Sequence, residues 1–156
     1  MTDKIMANTT RTWLVRWIYL AVAAHLVVGV LLPLLSGAVL FDGYREGILR
    51  FFFDMPAPAG ARAVQLWWMS LFGPTVQAAA IWMLGLAVMG DQQKNAFAWA
   101  MLILGLLVWA PQDMAISAQA HCWANVALDV VALLLMLPPL FFLCKADLNA
   151  KRDTAK

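Results

Sequence analysis

His121, Asn125 and Asp129 recur at intervals of four in a stretch that is otherwise strongly apolar. On a helix that spacing puts all three on one face. Gln112 and Asp113 stand a few residues upstream, at the end of another apolar run. His25 and Gln77 fall near the middle of two more. A carboxylic acid in a dry setting, with an imidazole in reach, is equipment for moving a proton or gripping a polar ligand. Asp113, His121 and Asp129 are therefore the candidate catalytic residues. His25, Gln77, Gln112, Asp113, His121, Asn125 and Asp129 form the candidate ligand-binding set. The expected arrangement is a polar pocket open to the outer face, with His25 and Gln77 as its floor. The competing reading is structural, because Asn, Gln and His also serve as interhelical hydrogen-bond glue in membranes.

Other chemistries find little support. His25 is near mid-helix and His121 at a helix end, which separates them in depth by roughly 10–15 Å on helix rise. Two axial ligands to one haem iron must meet at one height, so haem is not expected. No ligand-spaced metal motif occurs, and the expectation is no cofactor and no metal. Cys122 and Cys144 flank one apolar run and lie about 33 Å apart if it is helical. A disulfide needs Cα atoms within about 7 Å, so these two do not pair within the chain.

The elements that must hold these residues are membrane helices. Of 156 residues, 63% are hydrophobic and 13% charged, against about 25% charged in an ordinary soluble domain. A small water-soluble fold cannot hide that much apolar surface. Apolar runs predict four spanning helices in one domain, at about 13–35, 64–89, 96–117 and 121–144. The third run is purely apolar only as far as Ala110, short of the roughly 20 residues a span needs. Its helix must continue through Pro111, Gln112 and Asp113, which carries polar groups into the bilayer. The first run is longer than a signal-peptide core and reads as an uncleaved signal anchor. Pro74, Pro111 and the pair Pro138-Pro139 should bend or break their helices. Gly90 to Asn95 reads as a tight polar turn.

Residues 41–54 read FDGYREGILRFFFD. Asp42, Glu46, Arg50 and Asp54 recur every four residues, with Arg45 beside them and the aromatic residues opposite. That is an amphipathic helix with Glu46–Arg50 and Arg50–Asp54 pairs. It is expected to lie in the outer headgroup plane with its aromatic residues in lipid; the alternative is a cap over the bundle mouth. The expected fold is an all-α membrane protein, a four-transmembrane-helix bundle with one amphipathic interfacial helix in the first outer loop.

Basic residues set the orientation. With the N-terminus inside, Lys4, Arg11, Arg16, Lys94, Lys145, Lys151, Arg152 and Lys156 are cytoplasmic, and Arg45, Arg50 and Arg62 are outside. Trp13, Trp17 and Trp99 then mark the inner interface, and Trp67, Trp68, Trp109 and Trp123 the outer. Both termini are expected in the cytoplasm of a bacterial inner (cytoplasmic) membrane. The net charge of +2 gives no reason to expect nucleic acid. The expected partners are membrane lipids, with a membrane protein partner or a homo-oligomer as further options. Three function classes remain: a non-enzymatic accessory, regulatory or scaffold component; a binder or transporter of a lipid or small apolar molecule; and an intramembrane enzyme acting on a lipid or isoprenoid.

Overall fold

The computed structural model describes residues 2–53 and 56–154, with side chains for 9–53 and 56–153. It is 90% helical, without strands among the described residues. Five helices follow in order: α1 (Thr2–Leu35), α2 (Asp42–Phe52), α3 (Ala61–Gln93), α4 (Ala96–Gln119) and α5 (Trp123–Thr154). All but α2 are long and apolar enough to cross a bilayer. The protein is a multi-pass membrane bundle of four helices with a short amphipathic helix in its first loop. Large apolar side chains such as Leu20, Trp82 and Leu134 face outward along its length, which lipid accommodates and water does not.

α1 packs mainly along α3, and α4 along α5. The α1–α3 contact is close because Gly29 and Gly73 face each other. A Cβ on Gly29 would come 2.8 Å from Gln77 Cγ, and one on Gly73 would strike the Pro33 ring. Between the pairs lies a core of Val15, Ile18, Val22, Ala87, Trp99, Leu102, Ile103, Met136, Leu140 and Leu143.

Helix runs unbroken through Pro33, Pro74, Pro111, Pro138 and Pro139. A proline leaves the carbonyl four residues earlier without its amide donor. Neighbouring helices supply two of the missing donors. Gln77 Nε2 donates to Gly29 O at 3.0 Å, the carbonyl freed by Pro33. Trp17 Nε1 donates to Leu135 O at 3.0 Å, the carbonyl freed by Pro139. Such repair is how membrane helices tolerate proline.

Helix ends depart from the expected boundaries. Apolarity marks only the lipid-immersed part, whereas backbone hydrogen bonds carry α1 back to Thr2 and α5 on to Thr154. α3 starts three residues before the expected position and continues through Gly90–Gln93, which leaves a turn of only Lys94 and Asn95. Lys94 is left-handed at φ 50°, and the Asn95 side chain caps α4 by accepting from Phe97 N at 3.1 Å. At the other end of α4, Cys122 N donates to Ser117 O at 2.8 Å and His121 N to Ala118 O at 3.1 Å. With His121 at φ 50°, this is a Schellman turn. His121 is thus the turn residue, not the first residue of the last helix, and α5 starts at Trp123.

α2 spans Asp42–Phe52, shorter than expected. Glu46–Arg50 pairs at 3.6 Å, while Asp54 lies outside the described residues. Arg45 is not on the solvated face. Its guanidinium is buried, donating to the carbonyls of Ser36, Gly37 and Ala38 and pairing with Asp42. Carbonyls past the end of α1 are natural partners for a cation, and Ala38 O accepts from Phe41 N as well. Arg62 also reaches Asp42, at 2.8 Å, and Gln65 Nε2 donates to Arg45 O at 3.0 Å. These bonds fold α2 back over the bundle mouth, the alternative placement rather than the expected one in the headgroup plane.

Candidate functional site

At the α2 end, α4 and α5 carry a polar group of carboxylates and neutral side chains. Asp113 Oδ1 accepts from Ser117 Oγ at 3.3 Å and from Asn125 Nδ2 at 3.1 Å. Asn125 Nδ2 also lies 2.8 Å from Ser117 Oγ. One turn beyond Asn125, Asp129 is 4% exposed, and its Oδ2 is buried without a hydrogen-bond partner. Asp113 repels its charge. Among the described residues, no lysine, arginine or histidine forms an ion pair with either carboxylate.

α2 supplies the lid. Tyr44 is half-buried, with the Cys122 thiol, Asp113 and Asp129 near enough to act on its phenol. Burial first, then the thiol and the two carboxylates, push the Tyr44 phenol up to about 12. Phe51 sits edge-on to the His121 ring at 5.1 Å, and His121 lies 6.4 Å from Trp123. His121 therefore joins the lid to the α4–α5 turn.

The remaining expected residues lie elsewhere. His25 Nδ1 bonds to Ala21 O of its own helix at 2.8 Å. Gln77 is engaged at Gly29 between α1 and α3. Gln112, exposed, donates to Val108 O at 2.6 Å. The structure thus brings together Asp113, Asn125 and Asp129, and adds Ser117, Tyr44 and Cys122. Tyr44 escaped notice because aromatic periodicity assigned it to a lipid-facing stripe. Ser117 lies four residues after Asp113 and eight before Asn125, and that spacing was readable.

A second polar cluster lies at the end of the bundle that carries the termini, built from residues that read as tail and turn. Arg11 Nη1 donates to Asp91 Oδ1 at 3.0 Å, and Arg11 Nη2 to Gly90 O at 3.3 Å. Its Nε and Nη2 contact the two oxygens of Asp147 at 3.3 and 3.2 Å. Trp99, fully buried, donates from Nε1 to Asp147 Oδ2 at 2.9 Å. Gly90 lies flat on the Trp99 ring, where any Cβ would collide. One guanidinium thereby ties α1, α3 and α5 together, and the indole adds α4.

Beside the lid, an open groove of about 440 Å³ runs between α2 and α3. Its walls are almost wholly apolar, and Tyr44 and Gln65 are the polar residues on them. Among the described residues, no group of three or more His, Cys, Asp or Glu is placed to hold a metal ion. No protein-family model matches the chain, and no curated protein or solved structure matches it.

Proposed function

We propose that this is a non-enzymatic accessory or regulatory component of a bacterial inner membrane, with both termini cytoplasmic, and that it works by binding. The orientation rests on the basic residues, eight toward the termini and the α3–α4 turn against three around α2. The observation that carries the binding reading is Asp129: a buried carboxylate oxygen beside a second carboxylate, with no donor and no cation on it among the described residues. Ionisable side chains inside a membrane are costly to keep. A group there must be neutralised by a proton or by a positive ligand, and the binding reading takes the second. The ligand class is a small lipid-like molecule carrying a hydrogen-bond-donating, cationic group.

In the enzyme alternative, Asp113, His121 and Asp129 would act together on a lipid or isoprenoid. It is less well supported because the ring contacts of His121 are with Phe51 and Trp123. Native mass spectrometry from nanodiscs tests the proposal. A retained basic small molecule, lost in Asp129→Asn, is the expected result. A stoichiometric protein partner or a bare homo-oligomer, unchanged in Asp129→Asn, sinks the ligand and makes the cluster interhelical glue.

A further inference from the structure

The end of the bundle that carries the termini has an open cleft of about 570 Å³ between the start of α4 and the end of α5. Lys94 from the α3–α4 turn and Lys151 from α5 both line it. Asp147 is the one carboxylate lining it among the described residues, and its oxygens are already held by Arg11 and the Trp99 indole. Lys94 lies 3.8 Å from Asp91 in an exposed pair, which is worth little and easily exchanged. The cleft is therefore basic in character. It also exposes Phe97 and Leu148. Seven residues along α4 from Phe97 stands Leu104, and seven back along α5 from Leu148 stands Phe141, both exposed. An interval of seven is about two turns, so each pair shares a helix face. Both intervals lead away from the cleft into the bilayer, over about 10 Å of helix rise.

We infer that this cleft binds the headgroup of an anionic phospholipid, its phosphate between Lys94 and Lys151 and its acyl chains along the Phe97–Leu104 and Phe141–Leu148 faces. A soluble phosphate would use the lysines and leave the apolar faces idle. A zwitterionic phospholipid would bring its own cation to two lysines. Gln93 and Asn95 also line the cleft and offer amides to headgroup hydroxyls. On the orientation proposed above, the cleft opens at the cytoplasmic leaflet, where basic pockets between membrane helices meet anionic headgroups. The site is separate from Asp129 and does not rest on the ligand proposed there.

The test uses the full-length protein, stripped of lipid in mild detergent and read by native mass spectrometry. The probes are dimyristoyl phosphatidylglycerol and dimyristoyl phosphatidylcholine, which share their chains and differ in head charge. Wild type should prefer the anionic lipid by about 25-fold, roughly fivefold for each lysine. Lys94→Gln and Lys151→Gln should each lower that preference about fivefold, and the double variant should bring it close to parity. Both lysines are exposed, so the variants should fold, and thermal midpoints check this.

Two controls separate the cleft from general surface charge and from a soluble anion. Lys145→Gln/Arg152→Gln removes the same charge from the same end of α5 but outside the cleft lining, and should change the preference less than about twofold. Glycerol 3-phosphate, which has the head chemistry without the chains, should not displace the lipid at equal concentration. Asp129→Asn should leave the preference intact, which keeps this site distinct from the one at the α2 end. Equal retention of the two lipids in wild type overturns the inference. So does a loss in Lys145→Gln/Arg152→Gln as large as in the cleft double variant, which would make the effect one of general charge. Displacement by glycerol 3-phosphate overturns it too, by making the cleft a site for a soluble anion.

Discussion

The bundle carries buried carboxylates at both ends and treats them in opposite ways. At the termini end, Asp147 receives Arg11 and the Trp99 indole, and Asp91 shares the same guanidinium. With Lys94 3.8 Å from Asp91 as well, each of the two carboxylates has a counter-charge. At the α2 end, Asp113 receives only neutral donors, and Asp129 keeps a buried oxygen without any. A closed network fixes a structure. An open one stays where something other than folding needs it, because an unsatisfied buried polar group is otherwise removed at a gain. Arg45 shows that this chain can bring a cation to a buried place near the same end, against carbonyls at the end of α1. The bare pair is thus specific to the site.

Breaking the closed cluster should give the largest effect. Arg11→Met leaves Asp147 buried with an uncompensated charge, which typically costs about 3–5 kcal/mol. A large fall in thermal midpoint in mild detergent is expected, with partial recovery in the double variant Arg11→Met/Asp147→Asn. If Arg11→Met melts like wild type, the cluster is not the lock described here. The open cluster should respond with the opposite sign. Replacing Asp129 by Leu removes a buried unsatisfied acid and should raise stability, by about 1–3 kcal/mol on the cost of such a group. The same change should abolish ligand retention. A strong loss of stability in Asp129→Leu would mean that the carboxylate is part of the frame.

The membrane bundle was legible in the sequence because four predominantly apolar runs of about twenty residues admit few other structures. Asp113, Asn125 and Asp129 were legible as a group because polar residues stand out in such runs. Arg11, Asp91 and Asp147 were not, since each sits at the polar end of its own helix, where a charge is unremarkable. Only the three-dimensional meeting of α1, α3 and α5 reveals their pairing. Gln77 was legible as a polar residue but not in its role, which depends on Pro33 lying opposite on α1. His121 illustrates a local failure. The interval of four linked it to Asn125 and Asp129, but the Schellman turn places it outside the helix on which that interval has meaning.

That turn offers a smaller test of the lid. A left-handed backbone costs a residue with a Cβ about 1–2 kcal/mol, and glycine nothing comparable. His121→Gly should recover part of that strain while losing the Phe51 ring contact. The net change in midpoint should be small and upward, with protease cleavage in the α2 region accelerated. Lys94→Gly, at the matching left-handed position of the closed end, gives up an exposed 3.8 Å pair with Asp91 that is worth little, and should stabilise. A fall in stability for His121→Gly larger than the gain for Lys94→Gly would make the ring contact the stronger term.

At the open end, Tyr44 brings a pH dependence of its own. Tyr44 has a phenol pKa raised from 10.0 to about 12. The folded state therefore favours the neutral phenol more than the unfolded chain does. The stability this contributes is complete below pH 10.0 and declines as pH rises from 10.0 to about 12. Melting midpoints across alkaline pH should bend downward in that window, and Tyr44→Phe should remove this part of the bend. The chain has two tyrosines, so subtracting the phenolate absorbance of Tyr44→Phe from that of wild type isolates the Tyr44 titration. In Asp129→Asn the same titration should move back toward 10.0, since one of the nearby charges that raise it is gone. A Tyr44 curve centred at 10.0 in wild type would place the hydroxyl in water, away from the carboxylates, and would leave the site without its lid.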